Sequence, residues 1–352
     1  MSYTLNDKLI HLTPYSPDMG EYRIKLDANE SFINPNTKMR LKIREAVANV
    51  PMNRYPDPSA TKLCKAFSNY YDLDSTCVTA GNGSDELLFL IFTCFAKSGD
   101  TVMNISPDFS MYDFYAHLAE CKTIHSDKDE NFEFEPSDII KLCQAKDVKI
   151  LTFSNPCNPT ANGISCAKVM EIVKNVDALV VVDEAYMDFD DSSVLKKVYT
   201  HDNLLVLKTA SKMMGMAALR IGFAVANQKI TNALHACKSP YNVNAVSQAI
   251  ATVVLEDTKF LDKCRGKIIK SRDDMYRRMR REFIGYGWDV KPTKTNFIVL
   301  KTGQDDDVFR FLKSKSILVR NMGGFLRITV GSEQENSELI SALEEYAKEV
   351  LR

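Results

Sequence analysis

From residue 100 onward the chain alternates short apolar runs with longer amphipathic ones. Thr101 to Ile105, Ile150 to Phe153, Ala178 to Val182 and Leu204 to Leu207 are nearly continuous in hydrophobic residues rather than alternating. Strands buried on both faces read this way, and the helical patterns between them predict a mostly parallel sheet between helices. Earlier in the chain, residues 38 to 50 and 60 to 71 predict helices, whereas residues 1 to 30 show no period and are expected to be irregular. Between those helices, Asn53-Arg54-Tyr55-Pro56-Asp57-Pro58 is a loop, because its prolines exclude it from a helix interior or a central strand.

Beyond the last apolar run the pattern changes. Residues 241 to 260 predict a helix, and 262 to 284 a longer one with Met275, Met279 and Phe283 four residues apart on one face. Strand and helix then follow in turn: Asn296 to Leu300, a helix near 305 to 314, Ile317 to Arg320, Phe325 to Val330, and an amphipathic helix from Glu333. The expected fold class is α/β, a large domain with a mostly parallel sheet plus a smaller α+β domain in the C-terminal third.

Composition excludes several kinds of partner. Hydrophobic residues make up 45% of the 352 positions and charged residues 26%, and the net charge is −1. That balance gives no reason to expect nucleic acid or a membrane surface. Arg277, Arg278, Arg280 and Arg281 read as the solvated face of the long helix. No uncharged segment approaches the about 20 residues of a membrane helix. The start, MSYTLNDKLIHL, has no basic stretch ahead of an apolar run, so a cytoplasmic protein is expected. The nine cysteines are odd in number and form no CxxC, which argues against disulfides and structural zinc. His11, His117, His125, His201 and His235 are scattered, so no metal is expected.

In parallel sheets ligands gather at the carboxyl ends of the strands, so the residues after each apolar run carry the most information. The first run leads into Ser106-Pro107-Asp108-Phe109-Ser110-Met111-Tyr112, the second into Ser154-Asn155-Pro156-Cys157-Asn158-Pro159-Thr160, and the third into Asp183-Glu184-Ala185-Tyr186. The fourth opens the stretch LVLKTASKMMGMAALRIG, Leu205 to Gly222, where Thr209, Ser211 and Lys212 precede an uncharged run that closes on Arg220. Few polar neighbours favour the uncharged, nucleophilic form of an amine. Earlier, Gly81-Asn82-Gly83-Ser84-Asp85 opens a helix as an anion site would, with backbone N–H groups and the positive helix end free for a phosphate. Each feature has a structural reading: a surface lysine, an N-cap at Ser84 or Asp85, a cap at Asp183, a turn at Asn158, a core Tyr186. Their joint occurrence at successive strand ends is harder to obtain from folding needs alone.

Pyridoxal phosphate uses this set of groups. It needs a lysine to bond its aldehyde, an acid against the ring nitrogen, donors to its phenolate oxygen, a flat group to stack on, and a phosphate cradle. Lys212, Asp183, Asn158 with Tyr186, Phe109 or Tyr112, and the Gly83-Ser84-Asp85 helix start supply them in that order. An amine that can carry a proton beside such a ring suits transamination.

The same motifs, Asn158-Pro159-Thr160, Asp183-Glu184-Ala185-Tyr186 and Ser211-Lys212 with Arg220, resemble those of the fold-type I aminotransferases. Leu12-Thr13-Pro14-Tyr15, Ala28-Asn29-Glu30, Arg54-Tyr55-Pro56-Asp57 and Leu326-Arg327-Ile328-Thr329-Val330-Gly331 bring the likeness nearest to the histidinol-phosphate aminotransferase family, over nearly the whole chain. That resemblance implies a homodimer with shared active sites, in which Tyr55 reaches the neighbour's cofactor phosphate and Thr209, Ser211 and Arg220 complete the phosphate site. It also implies an N-terminal segment, 1–30, packed with the small domain and the active site, a large cofactor-binding domain at 31–262, and a small domain at 263–352. Tyr15, Asn29, Arg320 and Arg327 are the implied substrate residues, with Arg327 at the position that holds a substrate's acidic end. The implied reaction exchanges an amino group between histidinol phosphate and 2-oxoglutarate.

Three positions depart from the family pattern. Ala161-Asn162-Gly163 follows Thr160 where Asn-Pro-Thr-Gly is usual, so the left-handed glycine is displaced or its role falls to Asn162. Phe109 stands where a tyrosine is usual, and Ala218 replaces a glycine ahead of Leu219-Arg220. An aromatic aminotransferase or a threonine-phosphate decarboxylase would use nearly the same residues. A nicotinamide-dependent dehydrogenase is disfavoured because no GxGxxG follows a first strand. A pyridoxal-phosphate sensor joined to a DNA-binding module is disfavoured by how close the catalytic region lies to the start.

Overall fold

A computed structural model describes residues 3–10 and 12–350, so His11 lies outside the described residues. Among the described residues thirteen strands occur: β1 (Ile24–Lys25), β2 (Val78–Gly81), β3 (Thr101–Ser106), β4 (Lys122–Asp127), β5 (Val148–Ser154), β6 (Leu179–Asp183) and β7 (Leu204–Thr209) come first. They are followed by β8 (Gly222–Ala226), β9 (Asp289–Val290), β10 (Phe297–Lys301), β11 (Ile317–Leu318), β12 (Arg320–Asn321) and β13 (Leu326–Thr329). Seven of them form the main sheet in the order β2-β8-β7-β6-β5-β3-β4. From β7 through β6, β5 and β3 to β4 every pair is parallel, whereas β8 runs antiparallel to both β7 and β2.

The continuous apolar runs are buried on both faces, as such strands require. Successive residues of β6 divide between two cores. Val180 and Val182 pack with Phe67, Val169 and Val254, while Val181 packs with Leu88, Tyr112 and Leu234 on the opposite face. Each fully buried Val or Leu contributes about 1.5–3 kcal/mol, so this sheet is the stable platform of the molecule. The other three strands differ in composition. β4 (KTIHSD) is a half-exposed edge, and β2 and β8 are rich in Gly and Ala, which let other backbone approach closely.

A second, four-stranded antiparallel sheet has the order β12-β13-β10-β9. Ile298, Leu300, Leu326 and Ile328 of this sheet pack with Leu339, Ile340 and Leu343 of the helix Glu333–Val350. The expected helix over 241 to 260 is shorter, Ala245–Glu256, because Asp257 ends it and caps the helix Thr258–Phe283 by accepting from Phe260 N. That second helix belongs to both cores. Its Leu261 and Ile268 pack with the large-sheet core, and its Met275, Met279 and Phe283 with the small one. The expected boundary at 262/263 thus falls inside one continuous helix.

Two expectations for the ends of the chain are corrected. Residues 1 to 30, expected to be irregular, contain a helical turn at Asp7–Ile10 and strand β1, which pairs in parallel with β11. Ile317 to Arg320, expected as one strand, is split: β11 joins β1, and β12 joins β13. Ile317, Leu318 and Val319 are all buried in succession, so the chain changes partner without exposing a face. Among the described residues no helix is long and apolar enough to cross a membrane, and no group of three or more His, Cys, Asp or Glu could hold a metal.

Candidate active site

β2 ends at Gly81, and the chain turns through Asn82 and Gly83 into the helix Ser84–Phe95. Gly83 is the N-cap and makes no side-chain capping bond, so neither Ser84 nor Asp85 serves as the cap. The first N–H groups of this helix therefore keep the positive end of the dipole available for an anion. Gly222 of β8 pairs with Gly81 on one side and Thr209 on the other. A Cβ on Gly222 would stand 2.3 Å from Ser84 N, so only glycine lets strand and helix start meet. Ser211 N donates to Thr209 Oγ1 at 3.1 Å. Arg220, itself left-handed at φ 52, comes round to Asp85 at 2.6 Å, and its guanidinium would lie 2.8 Å from a Cβ on Gly83. Gly83, Ser84, Asp85, Thr209, Ser211 and Arg220 are thus gathered around one helix start. Ala218 is exposed in the short turn Ala217–Leu219 ahead of Arg220.

Lys212 lies three residues beyond β7. Its Nζ donates to the Ala28 carbonyl at 3.2 Å and stands 5.7 Å from the centre of the Tyr186 ring. Tyr186 is 4% exposed, and its hydroxyl accepts from Asn29 Nδ2 at 2.8 Å. Asn29 is left-handed at φ 54 and is held from the small sheet: its N donates to Thr329 Oγ1 at 2.9 Å, and its carbonyl accepts from Asn296 Nδ2 at 3.0 Å. The segment Asp27–Asn29 therefore lies between the lysine and the small domain.

Arg327 on β13 enters from the same side. Nη1 donates to Asn158 Oδ1 at 2.5 Å and Nη2 to the Asp27 carbonyl at 2.7 Å, while the buried Nε has no partner among the described residues. Burial draws its pKa below the ordinary arginine value; Tyr186 opposes that, and neighbouring Arg320 adds to it. Arg320 stands opposite Arg327 across the antiparallel β12–β13 pair. Tyr15, 75% exposed, lies close enough to act on the charge of Arg327.

Asp183 ends β6. It is buried, and its carboxylate accepts from Tyr112 Oη at 3.0 Å and from Ala185 N at 3.0 Å. Burial pushes its pKa up to about 7, against those two hydrogen bonds. The pair left open as Phe109 or Tyr112 is separated here. Tyr112 is fully buried with its hydroxyl committed to Asp183, whereas Phe109 is half-buried and edge-on to it, centres 5.6 Å apart.

The turn after β5 corrects the expectation for its left-handed residue. Neither Gly163 nor Asn162 takes that conformation; Ala161 does, at φ 67, with its N donating to the Cys157 carbonyl at 2.9 Å. A left-handed alanine costs about 1–2 kcal/mol. Asn162 braces the strained residue from both sides, accepting from Thr160 Oγ1 and donating to the Phe132 carbonyl, each at 2.5 Å. Among the described residues, Tyr55 makes no hydrogen bond to these groups. It is 81% exposed and stacks on Tyr241 with centres 4.6 Å apart. Missed from the sequence were Tyr112 as the partner of Asp183 and the carbonyls of Asp27 and Ala28. Backbone acceptors leave no trace in residue type.

These residues fit pyridoxal phosphate. The uncapped helix start with its obligatory glycine offers a phosphate cradle. Among the described residues, the buried carboxyl of Asp183 has no cation beside it, Lys212 has a single carbonyl partner, and Arg327 has an idle Nε. The fold and site together define a fold-type I pyridoxal-phosphate transferase. The aminotransferase class I and II family model matches residues 21–343, and the chain belongs to that family. It is 37% identical over 335 residues to a histidinol-phosphate aminotransferase of Clostridium novyi, covering 94% of this chain and 93% of the relative. Against one from Clostridium kluyveri it is 37% identical over 342 residues, covering 95% and 96%. In fold it is similar to the Sinorhizobium meliloti histidinol-phosphate aminotransferase solved in complex with pyridoxal-5'-phosphate. The TM-score is 0.88 at 20% identity, over 99% of this chain and 98% of that one.

Proposed function

We propose that the protein is a cytoplasmic homodimeric aminotransferase that moves the amino group of histidinol phosphate to 2-oxoglutarate, giving imidazole acetol phosphate and glutamate. The observation that carries this reading is the pairing of Arg320 with Arg327 across β12–β13 beside Asn158, with Tyr15 at the rim. Two guanidiniums facing one space repel each other, and an acidic substrate group relieves that repulsion. A phosphate monoester or a carboxylate answers it, which suits a donor with one and an acceptor with the other. The identity to named histidinol-phosphate aminotransferases supports the same substrate.

Pyridoxal phosphate supplies an aldehyde that takes up the amino group and a ring that accepts the electrons left when the Cα–H bond breaks. In this reading Gly83, Ser84, Asp85, Thr209, Ser211 and Arg220 would hold its phosphate, and Tyr55 of a second copy would reach the same phosphate. Phe109 would cover one ring face. Asn158 and Tyr186 would donate to the phenolate edge, and Asp183 would face the ring nitrogen, whose positive charge when protonated would offset the burial of the carboxylate. Lys212 Nζ takes the proton from the donor's Cα. Arg327, released from the Asp27 carbonyl, turns to the substrate's anionic end, and Asn29 keeps Tyr186 oriented. Assaying histidinol phosphate, phenylalanine and threonine phosphate as alternative substrates tests the assignment. Turnover of an aromatic amino acid alone would refute it.

A further inference from the structure

Under the loops that carry Phe109 and Asn158 lies a buried charged group with no part in the roles above. Lys128 follows the edge strand β4, and its side chain is 2% exposed. Its Nζ donates to the Pro107 carbonyl at 2.9 Å and to Cys157 Sγ at 2.9 Å, and stands 3.9 Å from Asp108 Oδ2. Asp108, whose side chain is 3% exposed, accepts from Phe109 N at 2.8 Å, from Ser154 N at 3.0 Å and from Ser154 Oγ. Ser154 Oγ in turn accepts from Asn158 N at 3.1 Å. Every bond in the chain ends on one of two segments, 107–109 or 154–158.

We propose that Lys128, acting with Asp108, is a positioning residue that locks the segment bearing Phe109 to the turn bearing Asn158, so that the face and the phenolate edge of the cofactor ring are set in register. This inference rests on the placement of Phe109 and Asn158 at the ring. Stability alone explains the pair poorly, because a buried ion pair replaced by uncharged groups of similar shape is often neutral or stabilising. Its directional bonds supply something an apolar filling cannot. They fix the angle between two loops whose parent strands share no sheet ladder beyond Asn104 and Thr152.

The test uses Lys128→Met and the double variant Lys128→Met with Asp108→Asn, which leaves no charge unpaired if the single variant fails to fold. Three readouts apply: the melting temperature of cofactor-free protein, the equilibrium affinity for pyridoxal phosphate, and the visible circular dichroism of bound cofactor. The double variant is expected to melt near the wild type while binding the cofactor about tenfold more weakly and losing most of its visible dichroism. A folded double variant with wild-type affinity and dichroism would overturn this inference alone. Wild-type protein that takes up no pyridoxal phosphate would overturn this inference and the proposed function together.

Discussion

Asp183 is held in a position that a carboxylate resists without a cation. Its folded pKa of about 7 lies above the ordinary 3.8, so the folded protein binds that proton more tightly than the unfolded chain does. With cofactor removed, this group's contribution to stability falls as pH rises from about 4 to about 7 and stays low above that, with an upper bound of roughly 4 kcal/mol. Melting curves of cofactor-free wild type and Asp183→Asn across that window should diverge, the wild type losing ground as pH rises. Parallel curves would show that the carboxyl is not perturbed. Lys212→Ala should leave the fold intact, abolish the visible absorption of bound cofactor and lower kcat by at least about 10³-fold, the scale of a lost proton-transfer group. Arg320→Gln should raise KM for a phosphorylated donor by roughly 10- to 100-fold, the value of a hydrogen bond to a charged group, and leave an unphosphorylated aromatic donor nearly untouched. Equal effects on both donors would remove Arg320 from the phosphate site.

At the scale of elements, the close approach of β8 to the helix Ser84–Phe95 is the most exacting contact in the cradle. Gly222→Ala places a methyl against Ser84 N and the Gly83 carbonyl carbon, 2.3 and 2.5 Å away, with backbone rather than a flexible side chain in its path. The helix start must move, and cofactor affinity is expected to fall at least about tenfold with little change in the large core. An absorbance titration measures it; unchanged affinity would place the phosphate elsewhere. This contact also marks the limit of what the sequence discloses. β3, β5, β6 and β7 are legible because strands buried on both faces must be apolar throughout, and so the residues after each could be read as a set. β2 and β8 are not, because, though buried throughout, they are short and mix glycine and alanine into their apolar residues. The split of 317–320 between two sheets escaped for a related reason: four successive residues with three of them buried look like one strand. At the turn after β5 the departure from Asn-Pro-Thr-Gly was visible, but that Ala161 itself turns left-handed follows only from the braces supplied by Asn162.

At the scale of the whole molecule, the site is assembled by two sheets that meet through the segment Asp27–Asn29 and through one helix, Thr258–Phe283, shared by both cores. Tyr55 is exposed, and among the described residues its ring stacks only on Tyr241. Light scattering should give twice the chain mass, and Tyr55→Ala should weaken cofactor binding from a neighbouring subunit without altering the melting of the large core. A monomer at full activity would exclude the shared site. The most direct measurement is the specificity of amino transfer itself. Purified protein loaded with pyridoxal phosphate should form glutamate from 2-oxoglutarate with histidinol phosphate as donor, at a kcat/KM well above that for phenylalanine, and should release no carbon dioxide from threonine phosphate. Efficient transfer from phenylalanine with none from histidinol phosphate, or decarboxylation of threonine phosphate, would contradict the proposed function.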